Sequence, residues 1–230
     1  MIKIFADGAD FETMIKLNDD PNISGFTTNP TLMRKEGIQN YGIFAQQLLH
    51  VIKEKPISFE VFATEHDEII EQAKKISSWG DNVYVKIPVL STDRKIPTEL
   101  IEYLASIGIK QNVTAVMNLP QVSFSSDCLG NKIPSVISIF AGRIYDTGED
   151  ASFFMREAMK IKKPSQKILW ASPRQVYDYY IARELGVDII TMTPTLIEKL
   201  FRLRDKNLWQ YSYETCQMFN EDAKQAGYTL

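Results

Sequence analysis

Asn82-Val83-Tyr84-Val85-Lys86-Ile87-Pro88-Val89 is a β-branched run that carries one lysine near the end of its apolar pattern. At the two-residue period of a strand, Val83, Val85 and Ile87 face one way, and Tyr84 and Lys86 face the other. Helix-like segments flank the run, which predicts a strand covered on both faces instead of one half in water. Lys86 is then a candidate buried amine. Burial disfavours the ammonium, and a neutral amine attacks a carbonyl to form a Schiff base. The plainer alternative is a strand-end lysine that reaches solvent along its own apolar stem. The rest of the chain decides between them.

Outward from this run, strands are predicted at residues 2–6, 23–27, 57–62, 110–116, 135–140, 167–171 and 187–192. Helical spacing falls between them, at 11–17, from Pro30, and at 41–53, 65–78, 97–107, 119–125, 150–160, 175–184 and 194–203. Eight strand-like segments, each followed by a helical one, imply parallel strands joined by right-handed crossovers. At 230 residues the alternation suits an α/β chain folded as a single-domain (β/α)8 TIM barrel over 1–205. An open doubly wound sheet is the competing architecture, but neither G-x-G-x-x-G nor G-x-x-x-x-G-K-[ST] occurs in the sequence. An amphipathic helix at 209–225, with no strand after it, is surplus to the eight units. The segment 206–230 is therefore expected to pack between subunits.

Composition narrows the function classes. Hydrophobic residues make up 44% and charged residues 24%, and the formal charge is −3, which argues against a general nucleic-acid or membrane surface. The opening Met1-Ile2-Lys3-Ile4-Phe5-Ala6-Asp7 lacks the apolar core of a signal peptide, so a cytoplasmic protein is expected. Cys128 and Cys216 lie far apart and read as reduced thiols. With only His50 and His66 as histidines, neither a Cys/His zinc site nor a Ser-His-Asp triad is expected.

In a barrel of this kind the carboxyl ends of the strands converge on one mouth. The polar residues that break the predicted strands there are Asp7, then Thr27, Thr28 and Asn29, then Glu60, Lys86, Asn112 with Thr114, Ser138 with Arg143, and Ser172 with Arg174. Singly, most have ordinary explanations: Asp7 a helix cap, Asn29-Pro30 a turn, Ser172 an N-cap. Glu60 is harder to dismiss, because an ionised carboxylate inside an apolar strand is costly without a partner. Together, one amine, two carboxylates, several hydroxyl and amide groups and two arginines form a working set. Attack of the amine on a ketone leads to a protonated imine, an electron sink that permits cleavage of a neighbouring carbon–carbon bond. The carboxylates supply the acid and base, and the arginines fit a phosphate. A sugar phosphate answers both requirements.

The sequence resembles the transaldolase family. The resemblance rests on Phe5-Ala6-Asp7, Thr27-Thr28-Asn29-Pro30-Thr31, Val85-Lys86-Ile87-Pro88-Val89, Asn112-Val113-Thr114, Ile137-Ser138-Ile139-Phe140-Ala141-Gly142-Arg143-Ile144 and Ala171-Ser172-Pro173-Arg174. Each motif alone is weak; six in order on successive strand ends are specific. The resemblance implies a (β/α)8 barrel, a Schiff base on Lys86, and neither metal nor organic cofactor. It implies transfer of a dihydroxyacetone unit from a ketose phosphate to an aldose phosphate. Asp7 would exchange the substrate hydroxyl proton, and Glu60 and Thr114 would hold a catalytic water. Asn29, Asn112 and Ser138, in a mouth that includes Thr28, would bind the dihydroxyacetone hydroxyls, and Arg143, Ser172 and Arg174 the phosphate. It also implies a homo-oligomer, a pentamer or decamer, assembled through the C-terminal helix.

The chain is also similar in length to the fructose-6-phosphate aldolases of the same superfamily, which release free dihydroxyacetone. Those aldolases resemble each other in carrying glutamine, tyrosine and an apolar residue where this chain has Glu60, Phe140 and Asn112. A tyrosine hydroxyl near the imine could protonate the bound carbanion, and Phe140 has no such proton. Pro173 between Ser172 and Arg174 departs from the longer transaldolases, which leaves acceptor preference open. An aldolase is the second expectation, and a non-catalytic sugar-phosphate-binding barrel the third.

Overall fold

The computed structural model of the chain describes residues 1–91, 94 and 97–229. Eight parallel strands, β1 (Lys3–Asp7), β2 (Ile23–Thr27), β3 (Ile57–Glu60), β4 (Val83–Pro88), β5 (Gln111–Val116), β6 (Ser135–Ile139), β7 (Gln166–Trp170) and β8 (Ile189–Met192), pair in chain order. The sheet closes with β8 against β1. Between the strands run α1 (Phe11–Asn18), α2 (Pro30–Lys35), α3 (Tyr41–Val51), α4 (His66–Ser77), α5 (Thr98–Ser106), α6 (Leu119–Leu129), α7 (Ala141–Asp146), α8 (Ala151–Ile161) and α9 (Tyr177–Glu184). Helices α10 (Pro194–Leu203) and α11 (Leu208–Gln225) follow the last strand. The architecture is the expected (β/α)8 barrel with an additional C-terminal helix. Two compact units are separable, Met1–Pro194 with all eight strands and Thr195–Leu230 with the remainder of α10 and with α11.

Local chemistry accounts for these elements. On β4, Val83, Val85 and Ile87 are buried, as a strand covered on both faces requires. The side chains of Asp10, Asn40, Asn118 and Asp150 each accept a backbone N–H at the start of a helix, satisfying donors that have no partner within the helix. In the second unit, Asn207 does the same for α11 by accepting from Trp209 N and Gln210 N.

Two elements differ from the sequence reading. Helix α7, directly after β6, occupies residues read as the exit of a strand; it is six residues long and lacks a side-chain cap, too short to display a period. Helix α6 runs on through its serines to Leu129, beyond the predicted end at residue 125. Ser125 Oγ donates to Gln121 O at 2.7 Å and Ser126 Oγ to Gln166 Oε1 at 2.8 Å, so these hydroxyls are satisfied without breaking the helix.

Inside the barrel, two layers divide the work. Phe5, Val136, Leu169, Ala171 and Ile189 form an apolar cluster, with Tyr84 and Phe140 packed against it. Gly25 makes room for it: a Cβ there would lie 2.5 Å from the Phe5 ring. Towards the carboxyl ends the inward positions turn polar. The register sets Asp7 beside Thr27, Glu60 beside Lys86 and Lys86 beside Asn112.

Candidate active site

Lys86 comes from the inward face of β4 and is 5% exposed. Its Nζ stands 2.9 Å from Glu60 Oε2 and donates to Thr28 O at 2.8 Å. Buried on a closed barrel, the amine is not the strand-end lysine reaching solvent. Its neighbours add something the sequence does not convey. Both neighbours are hydrogen-bond acceptors, and the Glu60 carboxylate is within reach to exchange a proton with the amine. Glu60 is held in turn by Tyr41 of α3, whose hydroxyl accepts Glu60 N–H at 2.7 Å and donates to Glu60 O at 3.0 Å. Burial pushes the Tyr41 phenol above its ordinary range, so it stays neutral.

Asp7, at the carboxyl end of β1, accepts from Thr27 Oγ1 at 2.7 Å, and Thr27 Oγ1 lies 2.6 Å from Thr191 Oγ1 on β8. Burial raises the Asp7 pKa above its ordinary value; the Lys86 charge and the Thr27 hydrogen bond pull it back, and the Glu60 charge pushes it up. Asp7, Lys86 and Glu60 therefore feel one another's charge. Two carboxylates around one amine, one of them shifted towards neutrality by desolvation, form an acid–base set.

A buried polar chain spans the adjoining strands. Ser138 Oγ donates to Asn112 Oδ1 at 2.6 Å, and Asn112 Nδ2 donates to Ser58 Oγ at 3.1 Å. Ser58 O accepts from Thr28 Oγ1 at 2.9 Å, returning the chain to the residue beside Lys86. Thr114 is 2% exposed, and its Oγ1 has no hydrogen-bond partner among the described residues, so it can hold a water or a substrate hydroxyl. The next residue, Ala115, has a φ of 61°, and the β5–β6 register shifts between Val113 and Val116. Asn29 caps α2, its Oδ1 accepting Leu32 N–H at 3.0 Å. That oxygen is already engaged, which leaves the amide nitrogen to donate.

The remaining expected residues sit apart from this network, where β6 and β7 leave the barrel. Phe140 is partly buried against the inner apolar cluster, and Arg143 is exposed on α7. Ser172, with a φ of 58°, brings its carbonyl so close to Gly142 that a Cβ at that position would lie 1.7 Å from Ser172 O. Arg174 is exposed and pairs with Asp146, while its backbone N–H donates to Asp178 Oδ2 at 2.6 Å. The two guanidinium groups thus stand at the rim, and Lys86, Glu60 and Asp7 stand within. Among the described residues no group of three His, Cys, Asp or Glu side chains is placed to hold a metal ion.

Tyr41, Ser58, Thr191 and Asp178 escape the sequence reading. Ser58 could have been found, because it lies two residues before Glu60 and shares its inward face. Thr191 is an ordinary β-former within a strand, and no local signal marks it.

A closed barrel of eight parallel strands, with a buried lysine and two carboxylates at the carboxyl ends, defines a (β/α)8 protein whose polar centre lies where such barrels carry theirs. A type I 3-dehydroquinate dehydratase from Clostridium difficile shares that fold, with a TM-score of 0.56 at 13% identity over 84% of each chain. The chain belongs to the transaldolase/fructose-6-phosphate aldolase family, whose model matches residues 4–230. A "probable transaldolase" of Nitrosopumilus maritimus is 33% identical over 205 residues, covering 87% of this chain and 88% of that one. Those of Methanococcus maripaludis strain C7 and Dehalococcoides mccartyi are 29% and 31% identical, covering 87% and 83% of this chain and 90% and 86% of theirs. Among the described residues no helix is long and apolar enough to cross a membrane.

Proposed function

We propose that the protein is a transaldolase, which moves a dihydroxyacetone unit from fructose 6-phosphate or sedoheptulose 7-phosphate to erythrose 4-phosphate or glyceraldehyde 3-phosphate. The observation that carries this reading is the Lys86 amine, buried between Glu60 and Thr28 O. Glu60 takes the ammonium proton, the freed amine adds to the ketose carbonyl, and a water held by Glu60 and Thr114 assists loss of the carbinolamine hydroxyl. Asp7 then removes the proton of the β-hydroxyl, on C4 of the ketose, and the C3–C4 bond breaks: its electrons enter the imine and C4 leaves as the carbonyl of an aldose phosphate. Asn112 and Ser138 hold the hydroxyls of the three-carbon fragment, and Thr28 and Asn29 complete that wall. Arg143, Ser172 and Arg174 receive the phosphate. The phenyl ring of Phe140 donates no proton, so the carbanion is retained until the acceptor aldehyde arrives, and Asp7 returns the proton to the new hydroxyl. The enzyme needs no cofactor in this scheme, works in the cytoplasm, and assembles as a pentamer or decamer through residues 206–230.

Borohydride reduction in the presence of fructose 6-phosphate, followed by peptide mass mapping, tests the reading. The expected result is a reduced dihydroxyacetone adduct on Lys86 and none in Lys86→Ala, which stays folded. No adduct on Lys86 in the wild-type protein would leave a non-catalytic sugar-phosphate-binding barrel. Assay with and without erythrose 4-phosphate separates transaldolase from aldolase. Product that depends on the acceptor is expected, and free dihydroxyacetone released without it would favour the aldolase.

A further inference from the structure

At the opposite end of the barrel, a cavity of about 410 Å³ opens among the amino-terminal ends of the strands. Lys3 of β1, Ser135 of β6, Lys167 of β7 and Asp188, the residue before β8, line it. Its inner wall is the apolar layer, with Phe5, Tyr84, Val136 and Ile189 on one side of the space.

We propose that this cavity is a second small-molecule site, for an anion carried on a flat apolar body. Three observations converge on that class. The first is charge. Lys3, Lys167 and Arg183 line the cavity with one carboxylate, Asp188. Asp188 is already paired twice, with Lys162 at 2.8 Å and Lys167 at 3.2 Å. Lys3 and Arg183 have no carboxylate partner among the described residues, and Arg183 instead lies 5.2 Å from the Tyr180 ring centroid. Positive charge is therefore in surplus at the mouth, and a guanidinium beside an ammonium suits a phosphate or carboxylate.

The second observation is unmet hydrogen bonding. Ser135 is 2% exposed, and its Oγ has no partner among the described residues; the buried Ser165 Oγ is in the same condition, and both residues line the cavity. Such hydroxyls are costly when unpaired, and a ligand oxygen relieves them. The third is shape. The rings of Phe5 and Tyr84 and the branched side chains of Val136 and Ile189 offer a dry surface of the kind that pairs with a planar apolar group, at a volume within the usual range for small-ligand pockets.

Ser58 also lines the cavity, and its Oγ is the acceptor that holds Asn112 Nδ2. An occupant thus touches a residue that carries the polar chain of the opposite mouth, although its binding does not depend on how Lys86 is used.

Isothermal titration calorimetry with phenyl phosphate, and separately with inorganic phosphate, tests the proposal without any assay of turnover. Saturable binding of phenyl phosphate is expected, weakened about tenfold or more in a Lys3→Glu, Arg183→Glu double variant, whose changes lie on exposed side chains. Affinity should be unchanged in Arg174→Ala, which alters only the other rim. Absence of saturable binding overturns the proposal. So does affinity that is lost with Arg174 and kept in the double variant, or inorganic phosphate bound as tightly as phenyl phosphate, since the apolar wall would then contribute nothing.

Discussion

Asp7 is a carboxyl group that the fold holds at a cost. Its folded pKa lies above 3.8 because burial penalises the charge. The linkage follows from that sign: the stabilisation is fully present below the unfolded value and is lost as pH rises through the folded one. Above the folded value the ionised side chain therefore weakens the fold. Asp7→Asn should leave the thermal midpoint unchanged or higher at pH 7 while turnover falls about 10²- to 10⁴-fold, the range for a removed acid–base group. A lowered midpoint with retained turnover would assign Asp7 a structural role. Thr27→Val offers a finer test, because its hydroxyl lowers the Asp7 pKa by bonding the carboxylate. Without that bond the pKa rises further, and the acid limb of the kcat/KM profile moves to higher pH. A limb that stays in place would mean that another group titrates there.

At this scale the sequence yields residues that look wrong in their setting. Glu60 and Lys86 are legible because charges inside apolar strands need partners, and the β3–β4 register sets the two side by side. Tyr41 is not legible, because it reaches Glu60 from a helix 19 residues upstream and reads locally as one more apolar position. Tyr41→Phe deprives the Glu60 N–H of its acceptor and should cost about 1–3 kcal/mol in urea unfolding. It should also lower kcat more than it raises KM, because the loss loosens a group that acts on the amine. Unchanged stability and kcat would show that water replaces the phenol.

Among the elements, the junction of α7 with the segment after β7 joins the barrel to the rim proposed to bind phosphate. Gly142 and the Ser172 carbonyl are in close approach, and Asp178 on α9 holds the loop from the other side through Arg174 N at 2.6 Å and Gln175 N at 3.3 Å. Gly142→Ala cannot be absorbed by a side-chain rotation, because the atom in its way is backbone. The loop must shift, and the Michaelis constant for fructose 6-phosphate should rise several-fold with a smaller effect on kcat. Arg174→Ala should act in the same direction by removing one of the proposed phosphate ligands, and unchanged kinetics in both variants would take this rim out of the site. The alternation of strand and helix was readable here, but α7 was not. A six-residue helix without a cap offers no period to detect, and its position follows from β6 ending one residue before Phe140.

For the whole molecule, eight repeated strand–helix units specify parallel pairing, whereas closure of β8 on β1 joins residues nearly the full barrel apart in sequence and is inferred only from the count. Helix α11 has no buried residue, yet it carries Leu208 at 82%, Trp209 at 86%, Met218 at 49% and Phe219 at 62% exposure. Isolated exposed apolar side chains are ordinary, but several large ones on one helix suit the proposed contact between subunits. The helix is nonetheless built to persist, with its Asn207 cap and a Lys206–Glu214 pair. The proposed assembly through residues 206–230 predicts a pentamer or decamer by light scattering. Trp209→Glu with Phe219→Glu should lower that mass while the far-ultraviolet circular dichroism of the barrel is retained, because neither side chain contributes to a core. A wild-type protein that runs as a monomer, or a double variant of undiminished mass, would remove α11 as the contact between subunits.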